Sequence, residues 1–254
     1  MRKKIVAGNW KMNTSVKEGV IIAEEINAFM ASVDIDNNIK KIILAVPFTH
    51  IDSVVKAVDY RRISISAQNC SEFDKGAFTG EISASMIKGL GAHYVIVGHS
   101  ERRQYFGDTD EIIAKKIELC HKNTLFPIFC CGEKLEQRQS GEHFKIVENQ
   151  IKNAFKSIDV FNITRTVIAY EPVWAIGTGQ TATPIQAQEM HEFIRNTIAN
   201  LYNKNIADQI SILYGGSVNA DTASELFQQN DIDGGLVGGA SLKIGDFIKI
   251  IKSL

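Results

Sequence analysis

The chain has 254 residues, of which 44% are hydrophobic and 22% are charged, and its formal net charge is −1. This composition is typical of a globular protein. After the basic residues 2–4, basic residues occur singly or as isolated pairs such as Lys40-Lys41 and Arg102-Arg103. Because no basic stripe is available to neutralise a phosphate backbone, nucleic acid is excluded as an expected partner.

The first element in chain order is a basic start at residues 1–4, followed by three apolar residues before Gly8. This apolar stretch is too short for the core of a signal peptide or for a membrane span. We therefore expect a cytoplasmic protein without a membrane partner.

Short apolar runs rich in β-branched residues then recur along the whole chain. Several are apolar almost throughout, which is typical of parallel strands that are covered on both faces. The predicted strands cover residues 5–10, 41–47, 63–69, 94–100, 125–132, 166–171, 210–215 and 234–239.

Helical segments lie between these runs. Ser15 and Glu18 form a possible capping box before a helix over residues 16–31. Thr183, followed by Pro184 and Gln186, gives a stronger start to a helix over 185–202. A further helix is predicted over 111–122.

Eight strand–helix alternations predict a parallel sheet. No Pro-, Gly- or Ser-rich linker divides the chain, and barrels of roughly 200–250 residues commonly form one domain. The sequence therefore predicts an α/β fold, a single-domain (β/α)₈ barrel over residues 1–254 with eight parallel strands. Periodicity alone leaves an open doubly wound sheet as an alternative.

In such barrels the reactive groups lie at the carboxyl ends of the strands. Those ends carry Asn9, Lys11, His99 and Glu171, together with glycine-rich turns at 215–217 and 238–239. Glycines allow backbone N–H groups to approach an anion, so the last two turns are candidate phosphate sites.

Each of these residues has a simpler explanation when taken alone. Lys11 could be a solvated lysine, and His99 could be a structural histidine. Glu171 lies between an apolar run and Pro172, so it has either a structural partner or a role in proton transfer. The combination points to catalysis more strongly than any member does.

The sequence predicts neither a metal site nor a cofactor. His191-Glu192 is followed by Arg195 where a zinc motif needs a second histidine, and the four cysteines form no C-x-x-C pair. Residues 177–182 match the G-x-G-x-x-G/A dinucleotide pattern, but residues 171–174 separate them from the strand, so we regard the match as accidental. Residues 172–182 are predicted to form a mobile lid instead.

These residues belong to motifs that resemble the triosephosphate isomerase family from the first strand to the last. The stretch AYEPVWAIGTG at 169–179 is the most specific of them. The others are GNWKMN at 8–13, GAFTGE at 76–81, GHSERR at 98–103, CCGE at 130–133, YGGSV at 214–218 and VGGA at 237–240.

The resemblance implies an isomerase of glycolysis and gluconeogenesis that interconverts dihydroxyacetone phosphate and D-glyceraldehyde 3-phosphate. In this family a glutamate base works with a neutral histidine, and the motifs place these roles on Glu171 and His99. Lys11 and Asn9 would stabilise the developing oxyanion. A helix starting at Ser100 would disfavour imidazolium at His99.

The resemblance also implies how the substrate and a partner are bound. Backbone N–H groups of Gly177, Ser217, Gly238 and Gly239 would hold the phosphate, with no metal and no cofactor. The family is usually a homodimer, in which the loop over 68–83 would place Thr79 near Asn9 and His99 of the partner subunit.

Two positions depart from the family pattern. Gln180 stands where many members have a lysine at the end of the lid, and Cys131 replaces a commoner aliphatic residue. Two other functions stay open, namely a barrel aldolase with a Schiff-base lysine and a catalytically silent barrel that serves as a binding protein.

Overall fold

The computed structural model describes residues 2–33, 40–176 and 181–254. Eight parallel strands form a closed barrel in which each strand is hydrogen-bonded to the next in the chain and the eighth returns to the first. In chain order, β1 to β8 are Lys4–Asn9, Lys40–Val46, Ile63–Ala67, Tyr94–Val97, Phe126–Cys131, Val167–Tyr170, Ile212–Tyr214 and Gly234–Val237.

Helices follow the strands around the outside of the barrel. The described residues form α1 to α12 at Val16–Ser32, Ile51–Ala57, Ala84–Gly89, Ser100–Tyr105, Asp110–Lys122, Leu135–Gln139, His143–Phe155, Val160–Ile163, Pro184–Leu201, Lys204–Ala207, Ala223–Phe227 and Ile244–Lys252. Single-turn 3-10 helices lie at Phe48–His50, Val173–Ala175 and Gly239–Leu242. None of the helices in the described ranges is long and apolar enough to cross a membrane.

Both predicted helix starts are confirmed. Ser15 accepts a hydrogen bond from the backbone N–H of Glu18, whose side chain accepts in turn from the N–H of Ser15, at the start of α1. Thr183 and Gln186 make the same reciprocal pair ahead of α9, with Pro184 in the first turn. These caps satisfy N–H groups that a helix cannot pair internally.

The apolar strands are covered on both faces, as predicted. Alternate strand side chains point inward and outward, so the barrel has an interior cluster and a larger cluster between strands and helices. The interior cluster comprises Ile5, Ala7, Ile43, Ala45, Tyr94, Ile96, Ile128, Cys130, Val167, Ala169, Leu213 and Leu236.

All eight predicted strands are present, and the pairing of Ile5 with Gly234 closes the barrel and excludes the open sheet. Several strands end earlier than predicted. The fourth ends at Val97 because Gly98, with φ of +77°, turns the chain away from the sheet. His99 therefore leaves the ladder and becomes the residue that caps α4.

Candidate active site

A cleft of about 340 Å³ opens at the carboxyl ends of the strands. It brings together seven of the predicted site residues from five of the eight strand ends. The lining residues are Asn9, Lys11, His99, Glu171, Ile176, Gly215, Gly216, Ser217, Val218, Asn219, Leu236, Gly238, Gly239 and Ala240. Gly177 and Gln180 lie outside the described residues, and Thr79 lies on an exposed loop away from this cleft.

Glu171 is held at the end of β6 with only 1% of its surface exposed. One carboxylate oxygen, Oε2, accepts a hydrogen bond from the backbone N–H of Ser100 at 2.8 Å. The other, Oε1, lies 3.0 Å from Nε2 of His99. Gly132 allows this close packing, since a Cβ at that position would lie 1.7 Å from the backbone oxygen of Glu171.

His99 is the residue before α4, and its ring is held at one nitrogen. The backbone N–H of Glu101 points at Nδ1 at 3.3 Å. Because Nδ1 is then the acceptor, the neutral ring carries its proton on Nε2. Nε2 is close to Oε1 of Glu171, but the N–H is not aligned with that oxygen, which has no hydrogen-bond partner among the described residues.

Two opposing effects act on the pKa of His99. Burial lowers it, whereas the nearby Glu171 carboxylate raises it, chiefly by its charge, and the net direction in this arrangement is upward. This differs from the expectation drawn from the helix start alone. The reason is that the paired carboxylate is nearer to the ring than any other charge described for it.

Lys11 has an unusual backbone conformation that directs it into the cleft. Its φ of +52° lies in the left-handed region, and its backbone N–H donates to Oδ1 of Asn9 at 3.0 Å. A non-glycine residue in this region is uncommon. The ammonium group donates to Oε1 of Glu101 at 2.6 Å, which fixes the charge at the edge of the cleft.

The opposite wall of the cleft is built from glycine-rich turns. Gly238 precedes the 3-10 helix Gly239–Leu242, so unpaired N–H groups of a helix start are available there. Ser217 donates its hydroxyl to the backbone oxygen of Ala175 at 2.7 Å and so connects this wall to the segment after Glu171. Glu171 is the only carboxylate among the lining residues, so this wall favours an anion.

Two acidic residues with structural roles at the site were not predicted as site residues. Glu101 binds Lys11 and orients His99, as described above. Glu133, fully buried, accepts hydrogen bonds from the hydroxyl of Tyr170 at 3.0 Å and from Nε1 of Trp174 at 2.8 Å. Glu133 thereby ties the residues on both sides of Glu171 to the end of β5.

The fold and the cleft together define a class of protein, a (β/α)₈-barrel enzyme that performs acid–base chemistry on an anionic substrate. Within the described ranges no group of three or more His, Cys, Asp or Glu side chains is placed to hold a metal ion.

Comparison with known proteins identifies the family. The family model described as triosephosphate isomerase matches residues 4–254. The chain is 49% identical over 253 residues to a protein named triosephosphate isomerase from Porphyromonas gingivalis strain W83, covering 100% of both chains. Proteins of the same name from Bacteroides fragilis strain NCTC 9343 (49%, covering 100% of this chain and 99% of the relative) and Flavobacterium psychrophilum (48%, covering 100% of both) are similar along their length. The chain belongs to the triosephosphate isomerase family.

Proposed function

We propose that this protein interconverts dihydroxyacetone phosphate and D-glyceraldehyde 3-phosphate through an enediol(ate) intermediate. The observation that carries the proposal is the pairing of Glu171 with His99, 3.0 Å apart, in a cleft whose far wall consists of glycine-rich turns. The cleft thus combines a proton acceptor, a proton donor and a site for a phosphate group. We expect the enzyme to work in the cytoplasm.

Glu171 is the base in this mechanism. Its carboxylate removes a proton from the carbon next to the substrate carbonyl and returns a proton to the neighbouring carbon, so the reaction involves no external oxidant or reductant. One carboxylate oxygen accepts a hydrogen bond from Ser100, and the other lies 3.0 Å from Nε2 of His99 without a hydrogen-bond partner among the described residues. The unpartnered oxygen, Oε1, is therefore free to accept the proton from the substrate carbon.

His99 is the electrophile and moves protons between the two substrate oxygens. Its Nε2–H, which lies beside Glu171 without a hydrogen-bond acceptor in the described ranges, would donate to the carbonyl oxygen. Once Glu171 turns toward carbon, the largest effect left on the pKa of His99 is burial, which lowers it. The ring is consequently neutral when it polarises the carbonyl, as the comparison with the family implies.

Lys11 and Asn9 stabilise the negative charge that develops on the substrate oxygens. Their side chains are fixed before the substrate arrives, Lys11 by Glu101 and Asn9 by the backbone of Lys11. Donors oriented in advance in this way contribute about 3–4 kcal/mol each to stabilisation of the transition state.

The phosphate is held by backbone N–H groups of Ser217, Gly238 and Gly239, together with Gly177 from the lid. The hydrogen bond from Ser217 to Ala175 is a direct connection between the phosphate wall and residues 172–182. Phosphate binding would therefore favour closure of the lid, which excludes water from the reactive enediolate.

The decisive test is substrate turnover in D₂O with the wild type and the Glu171→Asp variant. We expect deuterium on carbon in the product and a fall in kcat of roughly 10²-fold in the variant, because the carboxylate is withdrawn by about 1 Å. A product without deuterium, or an unchanged kcat in Glu171→Asp, would refute the proposed base. Trapping with borohydride should leave no covalent adduct, which separates this mechanism from that of a Schiff-base aldolase.

We also propose that the protein works as a homodimer. A second cavity of about 250 Å³ adjoins the catalytic cleft and shares Asn9, Lys11 and His99 with it. At its edge Met12 is 95% exposed and Phe106 is 67% exposed, an apolar surface that a monomer would leave in water. The loop over 68–83 is stiffened by the stacked rings of Phe73 and Phe78, 3.8 Å apart, and would insert there from the partner with Thr79 at its tip.

The dimer is tested by sedimentation of wild type and Thr79→Asp at matched concentrations. A buried, unpaired carboxylate at the tip should shift the protein toward monomer and lower kcat by at least tenfold, since Thr79 would adjoin Asn9 and His99 of the partner subunit. A wild type that sediments as a monomer at full activity would refute the proposed dimer.

A further inference from the structure

A third cavity, of about 280 Å³, lies at the opposite end of the barrel, where the strands begin. It shares no residue with the catalytic cleft. It is lined by Lys3, Ile5, Tyr94, Phe126, Thr164, Arg165, Thr166, Val167, Gln209 and Ser211. This end of a (β/α)₈ barrel ordinarily serves stability and not chemistry, so a formed pocket there calls for an explanation.

The charge of the pocket has a single sign. Its only charged lining residues are Lys3 and Arg165, and neither is within 4.0 Å of a carboxylate in the part of the chain that the structure describes. Asp159, on the segment before α8, is occupied by the backbone N–H and the side chain of Asn162.

Arg165 is nevertheless held in place. Its guanidinium lies 5.0 Å from the ring centre of Phe126 and 5.2 Å from that of Phe161. These two cation–π contacts orient the guanidinium group of Arg165 without using its N–H donors. The donors are therefore available to bind a carboxylate, whose geometry they match.

Tyr94 supplies an independent observation. Its side chain is 7% exposed and packs against Phe126 with ring centres 5.2 Å apart, yet its hydroxyl has no hydrogen-bond partner among the described residues. Burial raises the pKa of Tyr94 to about 12, so the group is a proton donor at every physiological pH. The hydroxyl lines the cavity and is unpaired within the described part of the chain, so it is available to donate a hydrogen bond to a ligand bound there.

The positive potential extends beyond the pocket. Burial lowers the pKa of Lys41, and the charge of Lys3 lowers it further. Burial likewise lowers the pKa of His93, followed by the charges of Lys88 and Lys41. The cations at this end therefore repel one another, and an anion bound among them would relieve that repulsion.

We propose that this cavity is a binding site for a small aromatic carboxylate. Arg165 and Lys3 would bind the carboxylate with the Tyr94 hydroxyl as a third donor, and Ile5, Phe126 and Val167 would contact the apolar ring. A phosphate fits less well, because the lining contains no glycine whose N–H could approach it closely, in contrast to the catalytic cleft.

The test is an NMR titration of the full-length protein with benzoate, followed at the Arg165 Nε–H and the Gln209 side-chain amide. We expect saturable shifts with a Kd on the order of 1 mM, as suits a ligand of this size. Acetate lacks the ring and benzamide lacks the charge, and each should bind at least tenfold more weakly.

Three variants separate a built site from general attraction to positive charge. Arg165→Gln should weaken benzoate binding at least tenfold and Tyr94→Phe severalfold, whereas Lys249→Gln, which removes an exposed charge on α12, should leave it unchanged. Turnover by Arg165→Gln should match the wild type, so failure here is distinct from failure of the proposed isomerase. Shifts that do not saturate, equal binding by Arg165→Gln, or acetate binding as tightly as benzoate would each overturn the proposal.

Discussion

Burial of His191 predicts that the stability of the protein depends on pH. The side chain lies on α9, fully buried, with ring centres 5.8 Å from Tyr170 and 6.3 Å from Tyr214. Its Nδ1 lies 3.3 Å from the backbone oxygen of Asp231, and its Nε2 has no partner among the described residues. Burial lowers the pKa of His191 to about 3.

The sign of the effect follows from this direction. Folded His191 stays neutral, whereas the unfolded chain takes up a proton below a pKa of about 6.5, so the free energy of unfolding falls as pH falls from about 6.5 toward 3. Each pH unit in this range corresponds to about 1.4 kcal/mol, which gives a loss of about 2 kcal/mol between pH 7 and pH 5.

The perturbation that isolates this contribution is His191→Asn, which keeps a donor near the position of Nδ1 but does not titrate. We expect the variant to be less stable at pH 7 because it leaves a cavity, and to lose about 2 kcal/mol less than the wild type between pH 7 and pH 5. The assay is urea unfolding at five pH values and a fixed protomer concentration. If the two proteins lose stability in parallel as pH falls, the assignment of this dependence to His191 is wrong.

Three further predictions concern the site and its support. Gly215→Ala should lower kcat by about tenfold or more, because its Cβ would lie 3.0 Å from Cγ of Glu171 and a displacement of the carboxylate by 1 Å costs about 10²-fold. Gly245→Ala is the matched control, since a Cβ at that position meets nothing within 4 Å. Equal kcat values in the two variants would contradict this prediction. Asp233→Ala should cost about 3–5 kcal/mol in unfolding by denaturant, since the fully buried carboxylate pairs with Arg195 and Arg2 at 2.9 Å each; a loss below 1 kcal/mol would show that the ion pairs are dispensable. Gln180→Lys should change the lid's opening and closing rates in NMR relaxation dispersion while deuterium exchange at carbon persists, and unchanged lid rates and turnover would disprove a role for Gln180.

The fold could be predicted from the sequence because its signal is local and repeated. Each strand is a short apolar run. The helices α1 and α9 each begin with a capping box, whose side chains pair the backbone N–H groups of the first turn. Closure of the barrel could not be predicted from such local patterns. It depends on pairing Ile5 with Gly234, residues that are far apart in the chain.

The site could be predicted as far as it follows from position in a barrel. Asn9, Lys11, His99 and Glu171 sit at strand ends, and the structure brings them into one cleft. The hydrogen bonds that orient these side chains could not be predicted from the sequence. Lys11 and Glu101 are 90 residues apart, and Ser100 and Glu171 are 71 apart.

The pKa of His99 likewise depends on contacts that the sequence does not reveal. The helix start after His99 correctly indicated one influence, because the N–H of Glu101 does point at the ring. It could not indicate that the carboxylate of Glu171 would lie 3.0 Å away and act in the opposite direction. A pKa is set by the sum of such contributions, and the largest of them come from other parts of the chain.

The two ends of the barrel divide stability from catalysis. At the N-terminal end of the strands, Asp233 ties Arg2 to Arg195 of α9 and accepts a hydrogen bond from the backbone N–H of Ile212 in β7. At the other end, Lys11 has a positive φ, and the buried Glu171 lies 3.0 Å from the ring of His99. Groups held in such unfavourable states persist only where the surrounding structure is rigid. The closed barrel, tied at its N-terminal end by Asp233, therefore provides the rigidity that holds Lys11 and Glu171 in these conformations.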